Sequence, residues 1–262
     1  MRDLITSTAN AHVKRIRSLM RSRKERHRER MFVVEGVRLV EEALQHQAPA
    51  SLLFVAEQLQ TTARGRSLIQ QVADLPNAAP VTPAILADLS DVETAQGIIA
   101  AVPLPQIVPV ALTLVLVLDG VQDPGNVGTL LRSAEAAGAE LVICLPGTAD
   151  VWNPKVVRSA MGAHFRVPLL EGLDWPAIRQ QLDPSTAIYA ATQGSAALLY
   201  DQADWRRSVA LVVGNEANGV SLATLQLAQE VTIPMAGAVE SLNAAIAGSV
   251  LLFEAARQRR GQ

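Results

Sequence analysis

The sequence predicts a two-part α/β protein, with a small N-terminal α/β unit ahead of a C-terminal domain built on a mostly parallel sheet. Short apolar runs alternate with helix-length amphipathic stretches along the whole chain, the pattern of strands joined by helical crossovers. The segment VPLPQIVP at 102–109 breaks this alternation with three prolines in eight residues, and proline withholds a backbone donor and favours an extended linker. Beyond it the alternation turns regular, which implies a parallel sheet covered on both faces. The expected division is 1–104, a linker at 105–111, and a second domain at 112–262.

In chain order, residues 10–30 carry Val13, Ile16, Leu19 and Met20 at helical spacing, with Lys14, Arg15, Arg17, Arg21, Arg23 and Lys24 over the remaining surface. This spacing predicts one amphipathic basic helix. MFVVEG reads as a buried strand ending at Gly36, and VRLVEEAL as a helix with Val37, Val40 and Leu44 on one face. SLLFVA, a helix near 62–74, a strand at 79–82, a helix near 84–89 and GIIAAV complete the first unit. The second is predicted as strand 112–118, helix 126–137, strand 140–145, helix 154–161, strand 165–169, helix 174–182, strands 186–191 and 208–213, helix 221–228, strand 230–233 and helix 241–258.

Composition narrows the function. The chain of 262 residues is 49% hydrophobic and 18% charged, and its longest apolar runs fall well short of the roughly 20 residues a membrane span needs. The N-terminus lacks the apolar core of a secretory signal, so a cytoplasmic location is expected. Cys144 is the single cysteine, which excludes an internal disulfide and a Cys-rich zinc site. His12, His27, His46 and His164 show no metal-ligand spacing, and no metal is expected. G-x-G-x-x-G after a strand, G-x-x-x-x-G-K-[ST], H-E-x-x-H and G-x-S-x-G are all missing. Residues 1–30 hold ten Lys and Arg against three Asp and Glu, a balance of +7 that leaves −9 for the rest of a chain whose net charge is −2. A basic arm on an acidic body points to a polyanion, with a solvated helix face as the alternative.

Three Gly-rich corners carry the chemistry. LVLDGVQDPGNVGTLLRSAEAAGA turns through Gly120, Pro124 and Gly125 into a helix start at Asn126, where backbone N–H groups can approach an anion. Arg132 is the one cation of that helix; it is either a packing-edge residue with its head in water or an anion contact. In GNEANG at 214–219, Glu216 follows the buried strand SVALVV. A carboxylate there needs a partner, because Ser221 already offers a cap for the next helix. In IPMAGAVESLNAAIAG, Ser241 reads as the helix N-cap and Asn243 as first-turn, with Ala244, Ala245, Ala247 and Gly248 allowing close approach of another backbone.

Together N-x-G-x-x-x-R-[ST]-A, G-x-E-x-x-G and I-P-M-x-G-x-x-x-S-L-N, in that order, resemble the motifs of the SpoU (TrmH-like) RNA ribose 2′-O-methyltransferases across most of residues 113–262. The resemblance implies a SPOUT-like fold with a deep trefoil knot, a homodimer joined through the C-terminal domain, and S-adenosylmethionine as cofactor. It assigns catalytic roles to Asn126, Arg132, Glu216, Ser241 and Asn243. Cofactor contacts fall, by position, to Thr192, Gly194, Gly214, Asn215, Ile233, Met235 and Leu242. FVVEGVRLVEEAL is similar to the substrate-binding domain of the rRNA-modifying branch, so RNA is the implied partner, large-subunit rRNA first and tRNA second. The basic arm residues Lys14, Arg15, Arg17, Arg21, Arg23 and Lys24 are then expected to meet RNA, and neutralising Arg15, Arg17 and Arg21 to weaken binding. The family usually makes the arginine a base, yet arginine keeps its proton to about pH 12 or above. Two roles stay open for Arg132, a charged clamp on phosphate and alkoxide or a transiently neutral base. Glu216 would orient its neighbours or hold a proton. A non-catalytic RNA-binding protein is the alternative from another class.

Overall fold

The computed structural model describes residues 3–46, 48–90, 92, 94–194, 196–239 and 241–260. They form two compact units, one of residues 1–105 with 152–165, the other of 106–151 with 166–262. The proline-rich segment therefore lies where the first unit gives way to the second. The stretch Trp152–Phe165, however, packs with the first.

In the first unit the predicted basic helix is two. α1 (Ala11–Arg21) and α2 (Arg23–Glu29) meet at Ser22, whose extended backbone ends α1 while its Oγ accepts from the Glu25 N–H to cap α2. Arg26, buried, donates to the carbonyls of Leu19 and Met20 and so satisfies the last turn of α1. Hydrophobic periodicity carries no trace of such a break, because Val13, Ile16, Leu19 and Met20 all lie before it. β1 (Met31–Glu35), α3 (Val37–Gln45), β2 (Leu52–Val55), α4 (Ala63–Val72), β3 (Ala78–Pro80), α5 (Pro83–Leu89) and β4 (Ile98–Pro103) follow. The sheet runs β1-β4-β2-β3, with only β2 and β3 parallel. α1 and α5 cover one face through Ile16, Leu19, Ile85 and Leu86 against Val33, Phe54 and Ile99. On β1 the alternate residue Phe32 meets Trp152, His164 and Phe165, which is why that later stretch belongs to this unit.

The second unit contains β5 (Leu114–Asp119), α6 (Pro124–Ala137), β6 (Leu141–Cys144), β7 (Leu169–Glu171), α7 (Trp175–Gln181), β8 (Ala187–Ala191), β9 (Leu198–Leu199), β10 (Val209–Gly214), α8 (Leu222–Leu225), β11 (Gln229–Thr232) and α9 (Ala244–Arg259). The remaining predicted helix, at 154–161, is present as Pro154–Ala160 in the first unit. Among the described residues the sheet is wholly parallel in the order β7-β6-β5-β10-β8-β11-β9. β5, β6 and β10 are buried at every position, as central strands covered on both faces must be. Trp175, Ile178 and Leu182 cover one face; α6 and α9 pack together, with α9 also against β10.

α9 is fixed at both ends. Its C-terminal Arg259 donates to the carbonyls of Trp205, Thr113 and Arg207. Toward its N-terminus Gly248 lies so near α6 and β10 that a Cβ there would stand 2.5 Å from Leu130 Cδ2 and 2.9 Å from Val213 Cγ2. Gly248 thus leaves room for the side chains of Leu130 and Val213, not for a neighbouring backbone. No helix among the described residues is long and apolar enough to cross a membrane.

Candidate active site

Strand ends and helix starts assemble the site in the second unit. β5 ends at Asp119, whose buried carboxylate accepts from the Ser221 N–H at 2.7 Å and the Thr224 hydroxyl at 2.6 Å. Thr224 Oγ1 accepts in turn from Trp175 Nε1 at 2.9 Å. This network ties the end of β5 to the loop that follows β10. Its one signal in the sequence is a carboxylate on an otherwise apolar buried strand.

That loop is shaped by Gly214 and Asn215. A Cβ on Gly214 would stand 2.3 Å from the Gly219 carbonyl carbon and 2.4 Å from the Val220 nitrogen, so only glycine lets the backbone double back there. Asn215 pairs with Gly219 through N–H and C=O, while its Oδ1 accepts from the Ala217 and Asn218 N–H groups and its Nδ2 donates to the Gly120 carbonyl at 2.8 Å. Its main chain is consumed by the turn, which leaves Asn215 as a shaping residue on the cavity wall.

The turn aims Glu216 at the N-terminus of α6. Its carboxylate accepts from the N–H groups of Gln122 and Asp123, both at 3.1 Å, and from Asn126 Nδ2 at 2.8 Å. Asn126 Oδ1 accepts from Asn243 Nδ2 at 3.0 Å. One polar chain, Asn243–Asn126–Glu216, therefore joins residues from all three sequence corners. Burial pushes the Glu216 carboxyl up, but the bonds from Asn126, Gln122 and Asp123 outweigh it and hold the group below its ordinary range. Glu216 thus accepts from three donors contributed by the turn into α6 and its first residues.

Asn243, not Ser241, caps α9. Its side chain accepts from the Ala245 and Ile246 N–H groups at 2.9 and 3.2 Å, whereas Ser241 is exposed and lines the adjacent cavity. Both residues are good caps by type, and only the backbone geometry separates them. α6 and α9 lie with their N-termini together, as the pairs Asn126–Asn243, Leu130–Gly248 and Ser133–Ser249 show. Two helix N-termini side by side favour negative charge. Arg132, six residues beyond Asn126 and about 9 Å further along the α6 axis, is exposed and makes no hydrogen bond or ion pair among the described residues.

Beside the polar chain lies a cavity of about 630 Å³. All seven positions assigned to the cofactor, Thr192, Gly194, Gly214, Asn215, Ile233, Met235 and Leu242, line it, together with Glu216 and Ser241. Asn126, Arg132 and Asn243 are outside that lining. The main-chain groups of Ile233, Met235 and Leu242 make no hydrogen bond among the described residues. The lining also includes Glu230, Thr232 and Leu251, which the motifs did not single out.

Residues 113–253 match the family model described as SpoU rRNA Methylase family. The chain belongs to the SpoU rRNA methylase family. A second model, the MRM3-like substrate binding domain, matches residues 10–100. The SpoU chain is 32% identical to the human mitochondrial rRNA methyltransferase 3 over 94% of its own length and 72% of that protein's. It is 33% identical to the 23S rRNA (guanosine(2553)-2′-O)-methyltransferase RlmP of Bacillus subtilis over 95% of its length and 97% of the other. Among solved structures, the SpoU methyltransferase AviRb of Streptomyces viridochromogenes, in complex with the cofactor AdoMet, superposes with a TM-score of 0.82 at 30% identity, covering 95% of this chain and 98% of that one.

The SpoU site makes a stability prediction at Glu216. Glu216→Gln sets an amide N–H among three N–H donors, and should cost about 1 kcal/mol, a modest figure because the side chain is exposed and water screens it. A carboxyl held low by folding stabilises above its unfolded pKa and loses that contribution as pH falls through the folded value. Urea unfolding should therefore show the variant weaker at pH 7 and the gap narrowing below about pH 4. Equal stability at pH 7 would contradict the orienting role.

Proposed function

We propose that this protein transfers a methyl group from S-adenosylmethionine to a ribose 2′-hydroxyl of large-subunit rRNA. The polar chain Asn243–Asn126–Glu216, set at two adjoining helix N-termini beside a ligand-sized cavity, carries the reading. The residues present fit the cofactor: the volume lies within the usual range for small-molecule sites, and Ile233, Met235 and Leu242 keep free backbone donors and acceptors along the wall. When bound, that cofactor supplies a methyl group already activated on a sulfonium.

The protein's task is then to place the ribose oxygen and to manage its proton. Asn126 and Asn243 lock each other, so either can orient the sugar without rearranging. The helix N-termini favour the developing alkoxide. Arg132, whose side chain has no partner among the described residues, either clamps the adjacent phosphate and stabilises that alkoxide or accepts the proton. Ser241, on the cavity side, lines the approach.

Similarity to the rRNA methyltransferases supports large-subunit rRNA as substrate, and the first unit as its binding domain. Labelled methyl offered to 23S rRNA, 16S rRNA and tRNA should appear in 23S rRNA; label in tRNA alone would contradict the substrate. A knotted C-terminal segment and a cytoplasmic place of action belong to the same proposal, although the relatives include mitochondrial proteins.

Within the arm, the cations differ in their internal partners. Arg15 pairs with Glu29 and Arg17 with Asp88, and Arg23 lies against His27. Lys14, Arg21 and Lys24 are exposed with no partner among the described residues, and Lys14 and Arg21 share a face of α1, seven residues apart. These three are the RNA contacts. Replacing all three with alanine should make the negative slope of log K against log salt shallower by about 2 to 3, whereas Arg15→Ala with Arg17→Ala should change it less. The opposite ranking would return the arm to a solvated face.

α9 also exposes Ile246 (53%), Val250 (36%) and Phe253 (47%) at i, i+4 and i+7, an apolar stripe that supports a homodimer through this helix. Sedimentation should give a dimer for the native chain and a monomer for Phe253→Asp; a native monomer would contradict it.

A further inference from the structure

Glu230 stands apart from the three motif corners. It lies on β11, in register with Ala190 of β8, and its exposed side chain lines the 630 Å³ cavity without a hydrogen bond or ion pair among the described residues. Its carboxylate hangs over Gly194: a Cβ on that glycine would stand 3.0 Å from Glu230 Oε2 and 3.8 Å from Thr192 Oγ1. A side chain at position 194 would crowd the carboxylate, so the glycine keeps the space beside it open.

The sheet order places this acid away from the reacting end. Asn126 and Glu216 follow β5 and β10, whereas Glu230 is on β11, with β8 between β10 and β11. Two strand spacings are about 10 Å, so a ligand spanning the cavity meets the polar chain at one end and Glu230 toward the other. An ionised carboxylate offers two acceptor oxygens and no donor. The ribose of an adenosyl cofactor presents two vicinal hydroxyl donors, and a carboxylate near a strand end is a general solution for holding a ribose hydroxyl; the ammonium of the amino-acid end is the rival partner.

We propose that Glu230 is a cofactor-specificity residue whose carboxylate accepts from the vicinal hydroxyls of the adenosyl ribose, with Thr192 at its side and Gly194 as the clearance. The assignment rests on the reading of the cavity as the S-adenosylmethionine site. It predicts selectivity for intact ribonucleosides and an effect that does not depend on the amino-acid end of the ligand.

Calorimetry on the full chain tests this with two probes, S-adenosylhomocysteine and 5′-methylthioadenosine, which share the ribose but differ in the amino-acid moiety. Glu230→Gln should weaken both by a similar factor, about tenfold, as expected for loss of charge-assisted hydrogen bonds. A 3′-deoxy form of methylthioadenosine should bind the native protein weakly and lose little further in the variant. Because Glu230 is exposed, the melting temperature should be unchanged, which separates lost contact from lost fold. Unchanged affinities would overturn the proposal, as would a loss confined to S-adenosylhomocysteine, which would place the carboxylate on the ammonium group. Failure of the native protein to bind either probe would instead remove the cofactor reading beneath it.

Discussion

Arg132→Ala lowers single-turnover methylation by about 10²- to 10³-fold, the scale of removing one preorganised transition-state contact, while S-adenosylhomocysteine binds as before. The separation of rate from cofactor affinity follows from position. Arg132 is outside the cavity lining and its side chain has no partner among the described residues, so its removal should leave the wall intact and the fold undisturbed. Arg132→Lys distinguishes the two roles of the guanidinium. A charged clamp tolerates lysine in part, since the charge remains while the planar fork is lost, and leaves the pH–rate profile unaltered in shape. A base makes the lysine variant's rate rise with pH toward about 10, where lysine sheds its proton. Near-normal turnover by Arg132→Ala would remove both roles.

Gly214→Ala should be the most damaging single methyl group in the second unit. The added carbon would lie 2.3 to 2.5 Å from three backbone atoms of Gly219 and Val220. Backbone, unlike the end of a long side chain, cannot step aside without breaking the Asn215–Gly219 pairing. That pairing holds Glu216 against α6, and Glu216 holds Asn126. We expect a stability loss of about 3 kcal/mol or more, the upper range for overpacking, and cofactor affinity reduced at least about 100-fold, since the same turn forms one wall of the cavity. The checks are a denaturant melt and calorimetry. Gly237→Ala, where a Cβ meets nothing within 4 Å, is the control and should change neither.

The contrast between those two glycines marks what could be read beforehand. Both belong to Gly-rich corners and look alike in sequence; which one is pinned depends on a backbone reversal that only coordinates reveal. The strand and helix alternation was legible because buried strands must be apolar and helices amphipathic. The need of Glu216 for partners was legible too, from the cost of a carboxylate beside a buried strand. The partners themselves were not, since Gln122 and Asp123 contribute main-chain N–H groups that no side chain announces. Ser241 and Asn243 are equally good caps by type, and the choice fell to a local backbone angle. In the arm, Arg15 and Lys14 are adjacent cations of the same class, and they are told apart by acids distant in sequence from the arm's first turn, such as Glu29 for Arg15 and Asp88 for Arg17. Residues 152–165 follow the second domain's alternation in sequence, whereas Trp152 and Phe165 pack against Phe32 through their rings.

The most direct test of the account is the chemical position of the transferred methyl group. Alkali cleaves RNA through the free 2′-hydroxyl, so a ribose-methylated nucleotide survives digestion joined to its neighbour, while a base-methylated one is released alone. After reaction of 23S rRNA with methyl-labelled S-adenosylmethionine, the label is predicted in alkali-resistant dinucleotides, and its rate of appearance there should fall by about 10²- to 10³-fold with Arg132→Ala. Label recovered in mononucleotides would contradict transfer to a ribose 2′-hydroxyl at this site.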